Sequence, residues 1–177
     1  MRARAAGFTI VEVLVVMAII LVLAGLVLAT SGYVHNKAAR SRAEAEIAAM
    51  SAASENYKAD NGVYPDAPSL DPRMMADPTQ GSYQTASLIL YKNLTGDMDA
   101  DRVTDSGARS YISFKDNQLS PATGNVQSIR DPFGYSYGYS TAYAAAVAGG
   151  NSAPTVGFNP TFDLWSTADP SNTAGQA

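Results

Sequence analysis

The sequence predicts an α+β fold in which a long N-terminal helix packs on a small antiparallel sheet. Three observations support this: an apolar run near the N-terminus, a helix-forming stretch that extends it, and short alternating aromatic segments near the C-terminus. The chain has 177 residues, which is enough for one domain of ordinary size with a hydrophobic core.

Composition excludes several classes of function. The chain has no cysteine, which excludes disulfide scaffolds, CxxC redox centres and thiolate zinc sites, and its single histidine, His35, argues against a serine–histidine triad. The formal net charge of −4 argues against nucleic acid as the main partner. Because no general base, nucleophile and phosphate loop cluster in the sequence, we expect no enzymatic activity.

The first element is an apolar helix over residues 8–29, in which Glu12 is the single charged residue. A helix of that length spans roughly 33 Å, which matches a hydrocarbon core of about 30 Å. We therefore expect residues 8–29 to cross a membrane. The alternative is a cleaved secretory signal, since Arg2 and Arg4 form a basic start, but a carboxylate inside the apolar region weakens such a signal.

A short basic leader that ends in Gly7, followed by Phe8 and then by Glu12 at the start of the apolar run, resembles the class III signal of type IV pilins and type II secretion pseudopilins. The resemblance implies that residues 1–7 are a leader, cleaved between Gly7 and Phe8 by a prepilin peptidase. It also implies N-methylation of Phe8, and retention of residues 8–29 as the membrane anchor and later as the filament core.

Glu12 is expected to act in assembly. A carboxylate in apolar surroundings requires a cationic partner or becomes protonated. The family resemblance supplies that partner as the N-terminal amine of a neighbouring subunit, which makes Phe8 and Glu12 the assembly residues. The alternative is that Glu12 only reaches the lipid headgroups. The resemblance also implies a cytoplasmic N-terminus and a C-terminal domain in the periplasm.

The outer half of the long helix, with its cap, is expected within residues 30–65. Residues 33–60 contain no Pro or Gly, and Ile47, Met50 and Tyr57 fall on one helical face that should cover a sheet. Asn61-Gly62 should end the helix. On the opposite side, the spacing predicts i,i+4 ion pairs of Arg40 with Glu44 and of Arg42 with Glu46.

Three further segments narrow the resemblance to the major pseudopilins of type II secretion systems. They are YKADNGVYP at residues 57–65, DPFGYSY at 131–137 and FDLWSTAD at 162–169. The resemblance implies a structural subunit of an inner-membrane-anchored, periplasm-spanning filament that drives protein export. Its partners would be copies of itself, minor pseudopilins and an inner-membrane assembly platform. The alternative is a type IV pilus subunit for adhesion, twitching motility or DNA uptake.

Residues 66–130 are expected to be a loop-rich insertion. Within it, residues 87–91 suit a short helix or strand, and residues 111–114 alternate as a strand does. Residues 131–169 should form the antiparallel sheet, with strands at 135–139 and 162–165, whose tyrosines we expect to pack within the sheet. The composition of residues 170–177 is typical of a flexible tail.

Calcium is the expected cofactor, because a cysteine-free chain end needs a tether other than a disulfide. In the pseudopilins that this sequence resembles, that tether is a calcium ion in the final loop, and the matching oxygen donors here are Asp163, Ser166 and Asp169. The alternative is that Asp163 caps a turn and Asp169 is free in solvent.

A second candidate metal site lies in the insertion. Asp97, Asp99, Asp101 and Asp105 occupy positions 1, 3, 5 and 9 of a calcium-loop pattern. Arg102 stands where that pattern has glycine, and Ala108 stands where it has a bidentate glutamate. An acidic, solvated loop without metal is the alternative.

Overall fold

The structure is a computed structural model that describes residues 9–71 and 78–168, apart from the side chains of residues 27–34. Predictions for Gly7, Phe8, Asp169 and the tail therefore lie outside the described residues. The chain divides into two compact units, unit 1 (Met1–Ala39) and unit 2 (Arg40–Ala177).

The fold is α+β with a long N-terminal helix, as predicted. Three helices and two two-stranded antiparallel sheets occupy the described ranges; in chain order they are α1 (Ile10–Asn61), α2 (Gly81–Thr95), β1 (Leu119–Ser120), β2 (Ser128–Ile129), β3 (Gly138–Ser140), α3 (Ala142–Ala148) and β4 (Asp163–Trp165). A 3-10 turn at Asp116–Gln118 precedes β1.

Helix α1 is continuous over 52 residues. It ends at the predicted Asn61-Gly62 step: Gly62 has φ +80, and its N–H donates to the Lys58 carbonyl oxygen at 2.7 Å. Glycine permits this left-handed conformation at little cost. Among the described residues, no helix is long and apolar enough to cross a membrane, so the span expected at residues 8–29 is not confirmed.

The predicted face of α1 packs on the core of unit 2. Met50 is 1% exposed, and Ile47 and Tyr57 are partly buried against the same core. This core contains helix α2 as well as the strands, and the Tyr57 hydroxyl donates to Asn93 of α2 at 2.9 Å. The face therefore covers a helix in addition to the sheet.

The ion pair between Arg42 and Glu46 forms, at 3.6 Å, but its position differs from the expectation. Instead of lying on the solvent side, the Glu46 side chain is only 14% exposed, and its Oε2 accepts a hydrogen bond from the Tyr137 hydroxyl at 2.7 Å. Glu46 thus joins α1 to the segment before β3.

Helix α2 lies inside the expected loop-rich insertion. Residues 87–91, predicted as a short helix or strand, are the centre of this 15-residue helix. Its buried Ala86, Leu90 and Leu94 recur every four residues, which is helical spacing. The helix packs on both sheets: Ser87 Oγ accepts a hydrogen bond from the Ile129 N–H of β2 at 2.8 Å, and α2 also contacts β3.

Two predicted strands are corrected. Residues 111–114 form no strand; the Tyr111 N–H donates to the Leu94 carbonyl oxygen, and the Tyr111 and Phe114 rings pack on Tyr57 of α1 and Tyr91 of α2. Their spacing therefore reflects contacts with helices. The strand expected at 135–139 is shifted to β3, after an isolated bridge at Ser136.

The two sheets are short: β1 and β2 are neighbours in sequence, whereas β3 pairs with the more distant β4. Leu119 of β1 faces Ile129 of β2, and Tyr139 of β3 faces Leu164 of β4. Tyr137 and Tyr139 are fully buried, which confirms that these tyrosines serve packing.

Candidate functional site

The N-terminal part of α1 presents an exposed apolar surface. From Ile10 to Leu26 the large hydrophobic side chains that are exposed range from 47% to 84% exposed. Because consecutive residues are exposed, the apolar surface extends around the whole helix rather than along one stripe. A surface of this kind requires an apolar environment, either lipid or other helices.

Glu12, the single carboxylate in this stretch, is paired within its own chain. Its Oε2 accepts hydrogen bonds from the Thr9 backbone N–H at 2.8 Å and from the Thr9 hydroxyl at 2.9 Å. The Glu12 N–H in turn donates to Thr9 Oγ1 at 3.2 Å. Since α1 begins at Ile10, this is a capping box, with Thr9 as N-cap and Glu12 three residues later.

The sequence predicted Glu12 but not its partner Thr9. The spacing Thr-x-x-Glu before an apolar run is the signal that identifies a capping box, and it is present at residues 9–12. Phe8 lies outside the described residues, so the pairing of its amine with Glu12 stays a prediction.

At the C-terminal candidate site, Asp163 and Ser166 bind different partners. The Asp163 carboxylate is almost buried and accepts hydrogen bonds from the backbone N–H groups of Phe158 at 2.9 Å and Asn159 at 3.1 Å. Ser166 Oγ donates to Asp131 Oδ2 at 2.5 Å. With Asp169 outside the described residues, Asp163 is seen as the cap of a turn, which is the alternative that the sequence left open.

Asp131 is a further polar residue at this end of the chain, and the sequence did not identify it as part of a site. It is 3% exposed, and its Oδ1 accepts hydrogen bonds from the N–H groups of Phe133 and Tyr135. Burial raises the pKa of the Asp131 carboxyl, while the bond from Ser166 opposes that shift. Asp131 thereby ties the turn at 131–135 to the segment that follows β4.

In the acidic insertion, three of the four predicted aspartates come together. Oxygens of Asp97, Asp99 and Asp101 lie within 4.8 Å of one another, whereas Asp105 accepts a hydrogen bond from the Met98 N–H at 3.0 Å. Three carboxylates are oxygen donors of the kind that calcium prefers, so these residues would hold the ion.

Asp97 is the buried member of this cluster, at 1% exposed. Burial opposes its charge, but hydrogen bonds from the Tyr91 hydroxyl at 2.7 Å and the Arg102 N–H at 2.8 Å hold the pKa of the Asp97 carboxyl below its usual value. Although the Asp101 N–H donates to Asp99, the neighbouring carboxylates raise the pKa of Asp99. A bound cation would relieve this repulsion.

Arg102 departs from the calcium-loop pattern in residue type but not in conformation. Its φ is +80, the left-handed value that glycine adopts most readily. The guanidinium group donates hydrogen bonds to the Gly124 carbonyl oxygen at 2.8 Å and to Asp116 Oδ1 at 3.0 Å. These contacts fix the strained residue in place.

Comparison with known proteins identifies one feature. Residues 2–28 match the family model described as the prokaryotic N-terminal methylation motif, which is the signal of type IV pilin-like proteins. No curated protein and no solved structure matches the chain. The motif supports a type IV pilin-like subunit anchored at the inner membrane, and it implies processing by a prepilin peptidase and polymerisation.

Proposed function

We propose that this protein is a non-enzymatic structural subunit of a type II secretion pseudopilus, which polymerises through its N-terminal helix to drive protein export. One observation carries the proposal: the methylation motif, at residues 2–28, includes the start of a helix whose apolar side chains are exposed on all sides and which has one carboxylate near its start.

Exposed in water, this helix would be unstable. Burying one Val, Leu or Ile side chain contributes about 1.5–3 kcal/mol, and thirteen large hydrophobic residues between Ile10 and Leu26 are exposed. Anchoring in the inner membrane before assembly, and packing against other subunits afterwards, would both bury this surface. In this proposal unit 2 lies in the periplasm.

The resemblance of residues 57–65, 131–137 and 162–169 to major pseudopilins favours secretion over pilus use. Its partners would then be further copies of the chain, minor pseudopilins, a prepilin peptidase and the inner-membrane assembly platform. A type IV pilus subunit for adhesion, motility or DNA uptake is the alternative.

Deletion of the gene, with complementation by the intact chain, tests the proposal. We expect exported proteins to accumulate inside the envelope while twitching motility and transformation remain normal. The converse result, normal export with loss of motility or DNA uptake, would support the pilus alternative. Normal behaviour in all three assays would contradict both.

A further inference from the structure

Thr9 makes one contact with Glu12 beyond those of a capping box. An N-cap hydroxyl normally accepts a hydrogen bond from a backbone N–H in the first turn, and Thr9 Oγ1 does so from Glu12. The Thr9 N–H donates to Glu12 Oε2, which completes the capping box, and the Thr9 hydroxyl donates to the same oxygen in addition.

Both hydrogen bonds from Thr9 reach Oε2, so they do not involve the other carboxylate oxygen of Glu12, Oε1. Among the described residues, no hydrogen bond to Glu12 Oε1 is seen. A glutamate side chain has several rotatable bonds, and two hydrogen bonds from a residue one turn earlier restrict it to one orientation. In apolar surroundings an oxygen without a partner is strongly unfavourable, so Oε1 requires a donor from elsewhere.

We propose that Thr9 is the positioning residue for Glu12: it holds Oε2 in the first turn of α1 and thereby directs Oε1 to the amino group of a neighbouring subunit. This inference rests on the proposed function, in which Glu12 sets the register of assembly. In this proposal Thr9 acts by fixing the carboxylate that contacts the neighbour.

The test uses the full chain, assembled in cells and sheared from the envelope, with processing checked by intact mass. Thr9→Val removes the hydroxyl and keeps the size, while Thr9→Ser keeps the hydroxyl. Thr85→Val is the matched control, because the Thr85 hydroxyl donates to the Gly81 carbonyl oxygen within α2. We expect Thr9→Val to lower filament yield about fivefold, the effect of one lost capping interaction, and both other variants to match the parent.

A second readout separates positioning from simple capping. Because the chain has no cysteine, pairs of cysteines introduced at exposed α1 positions such as Ala45, Ala48 and Ala52 report which residues of neighbouring subunits meet. We expect one set of cross-links in the parent and in Thr9→Ser, and additional sets in Thr9→Val, because a free Glu12 side chain no longer fixes the register.

Thr9→Val filaments that show the parent's single register, whether their yield is normal or reduced, would overturn this inference and leave Thr9 as an ordinary helix cap. That result leaves the proposed function intact, since the parent still polymerises. A parent chain that forms no filaments would instead overturn the proposed function, and the inference with it.

Discussion

Among single residues, the close contacts of Trp165 hold strand β4 against the rest of unit 2. Trp165 of β4 lies across Gly138 of β3, and its indole N–H donates to the Tyr83 hydroxyl at 3.3 Å. The Tyr83 and Trp165 rings also meet edge to face, at 5.7 Å between centroids. The last strand is therefore held by one aromatic side chain that fits only because residue 138 has no Cβ.

We expect Gly138→Ala to destabilise unit 2 by about 1–3 kcal/mol, because the added Cβ would overlap the Trp165 ring. Urea unfolding of the full chain in detergent, followed by fluorescence of its single tryptophan, measures the effect. Gly81→Ala is the control, since a Cβ there meets no atom within 4 Å. Equal stability of the two variants would contradict the prediction.

Three buried tyrosines predict a loss of stability at alkaline pH. Burial raises the pKa of Tyr91, Tyr137 and Tyr139 above the usual 10.0, and the carboxylates that Tyr91 and Tyr137 contact raise their pKa further. Their stabilising effect is complete below pH 10. As the pH rises above 10, the unfolded chain releases protons that the folded chain retains, so stability falls by about 1.4 kcal/mol per pH unit for each tyrosine.

Urea unfolding at pH 8, 10 and 11 measures this slope. Tyr139→Phe should reduce it relative to the parent, because this substitution removes one of the three raised pKa values. An unchanged slope in Tyr139→Phe would show that Tyr139 ionises as readily in the folded chain as in the unfolded one.

At the scale of elements, the sequence predicted what depends on local contacts. Helix α1 ends at the predicted Asn61-Gly62 step, and its buried face is the predicted one, because turn chemistry and a 3.6-residue period are local properties. The strand expected at residues 111–114 does not form, because Tyr111 contacts Leu94 and Tyr57, which are distant from it in sequence. Helix α3, of seven residues, was not predicted at all.

The candidate sites were likewise predictable only where their contacts are local in sequence. The Thr9–Glu12 box and the 97–101 cluster are each formed within a few residues, so their spacing could be read directly from the sequence. The contact of Ser166 with Asp131 joins positions 35 residues apart, and no local pattern indicates it.

Calcium binding at either acidic segment can be tested through its effect on stability. Calcium at 100 times its dissociation constant would add about 2.7 kcal/mol to the free energy of unfolding and raise the melting temperature by several degrees. Thermal unfolding of the full chain in detergent, with calcium and with chelator, measures the shift. Asp99→Ala and Asp169→Ala, measured in parallel, assign it to one segment.

A shift abolished only by Asp99→Ala would place calcium at the 97–101 cluster. A shift abolished only by Asp169→Ala would place it at the C-terminal segment. No shift in the parent would dismiss both sites, which is the result expected if Asp163 only caps its turn and the insertion is a solvated acidic loop.

Across the whole molecule, the two units differ in how much apolar surface they expose. Unit 1 exposes apolar side chains from Ile10 to Leu26, while unit 2 has a buried hydrophobic core of its own. Changes in unit 1 should therefore affect assembly without unfolding unit 2.

Glu12→Ala is expected to leave the melting temperature of unit 2 unchanged and to stop or disorder filament growth. The substitution removes the carboxylate, and a partner amine left without it is unfavourable in apolar surroundings. Trp165 fluorescence reports folding, and the amount of sheared filament reports assembly. Glu44→Ala, on the exposed side of α1, is the control. Normal filaments and normal export from Glu12→Ala would show that Glu12 only reaches the lipid headgroups.

Processing of the N-terminus is the prediction that concerns the whole chain. Cleavage after Gly7 would make Phe8 the first residue, carrying an N-methyl group, and would remove Arg2 and Arg4, so the formal side-chain charge would change from −4 to −6. Intact mass of the membrane-extracted protein identifies the new terminus and the added methyl group. Gly7→Val, which alters the residue before the cleavage site, should keep the full-length mass. Two results would contradict a pilin-like filament subunit. A mature chain that begins at Thr30, as signal-peptidase cleavage would produce, would have lost the apolar helix. A parent that retains Met1 would never form the N-terminal amine of Phe8.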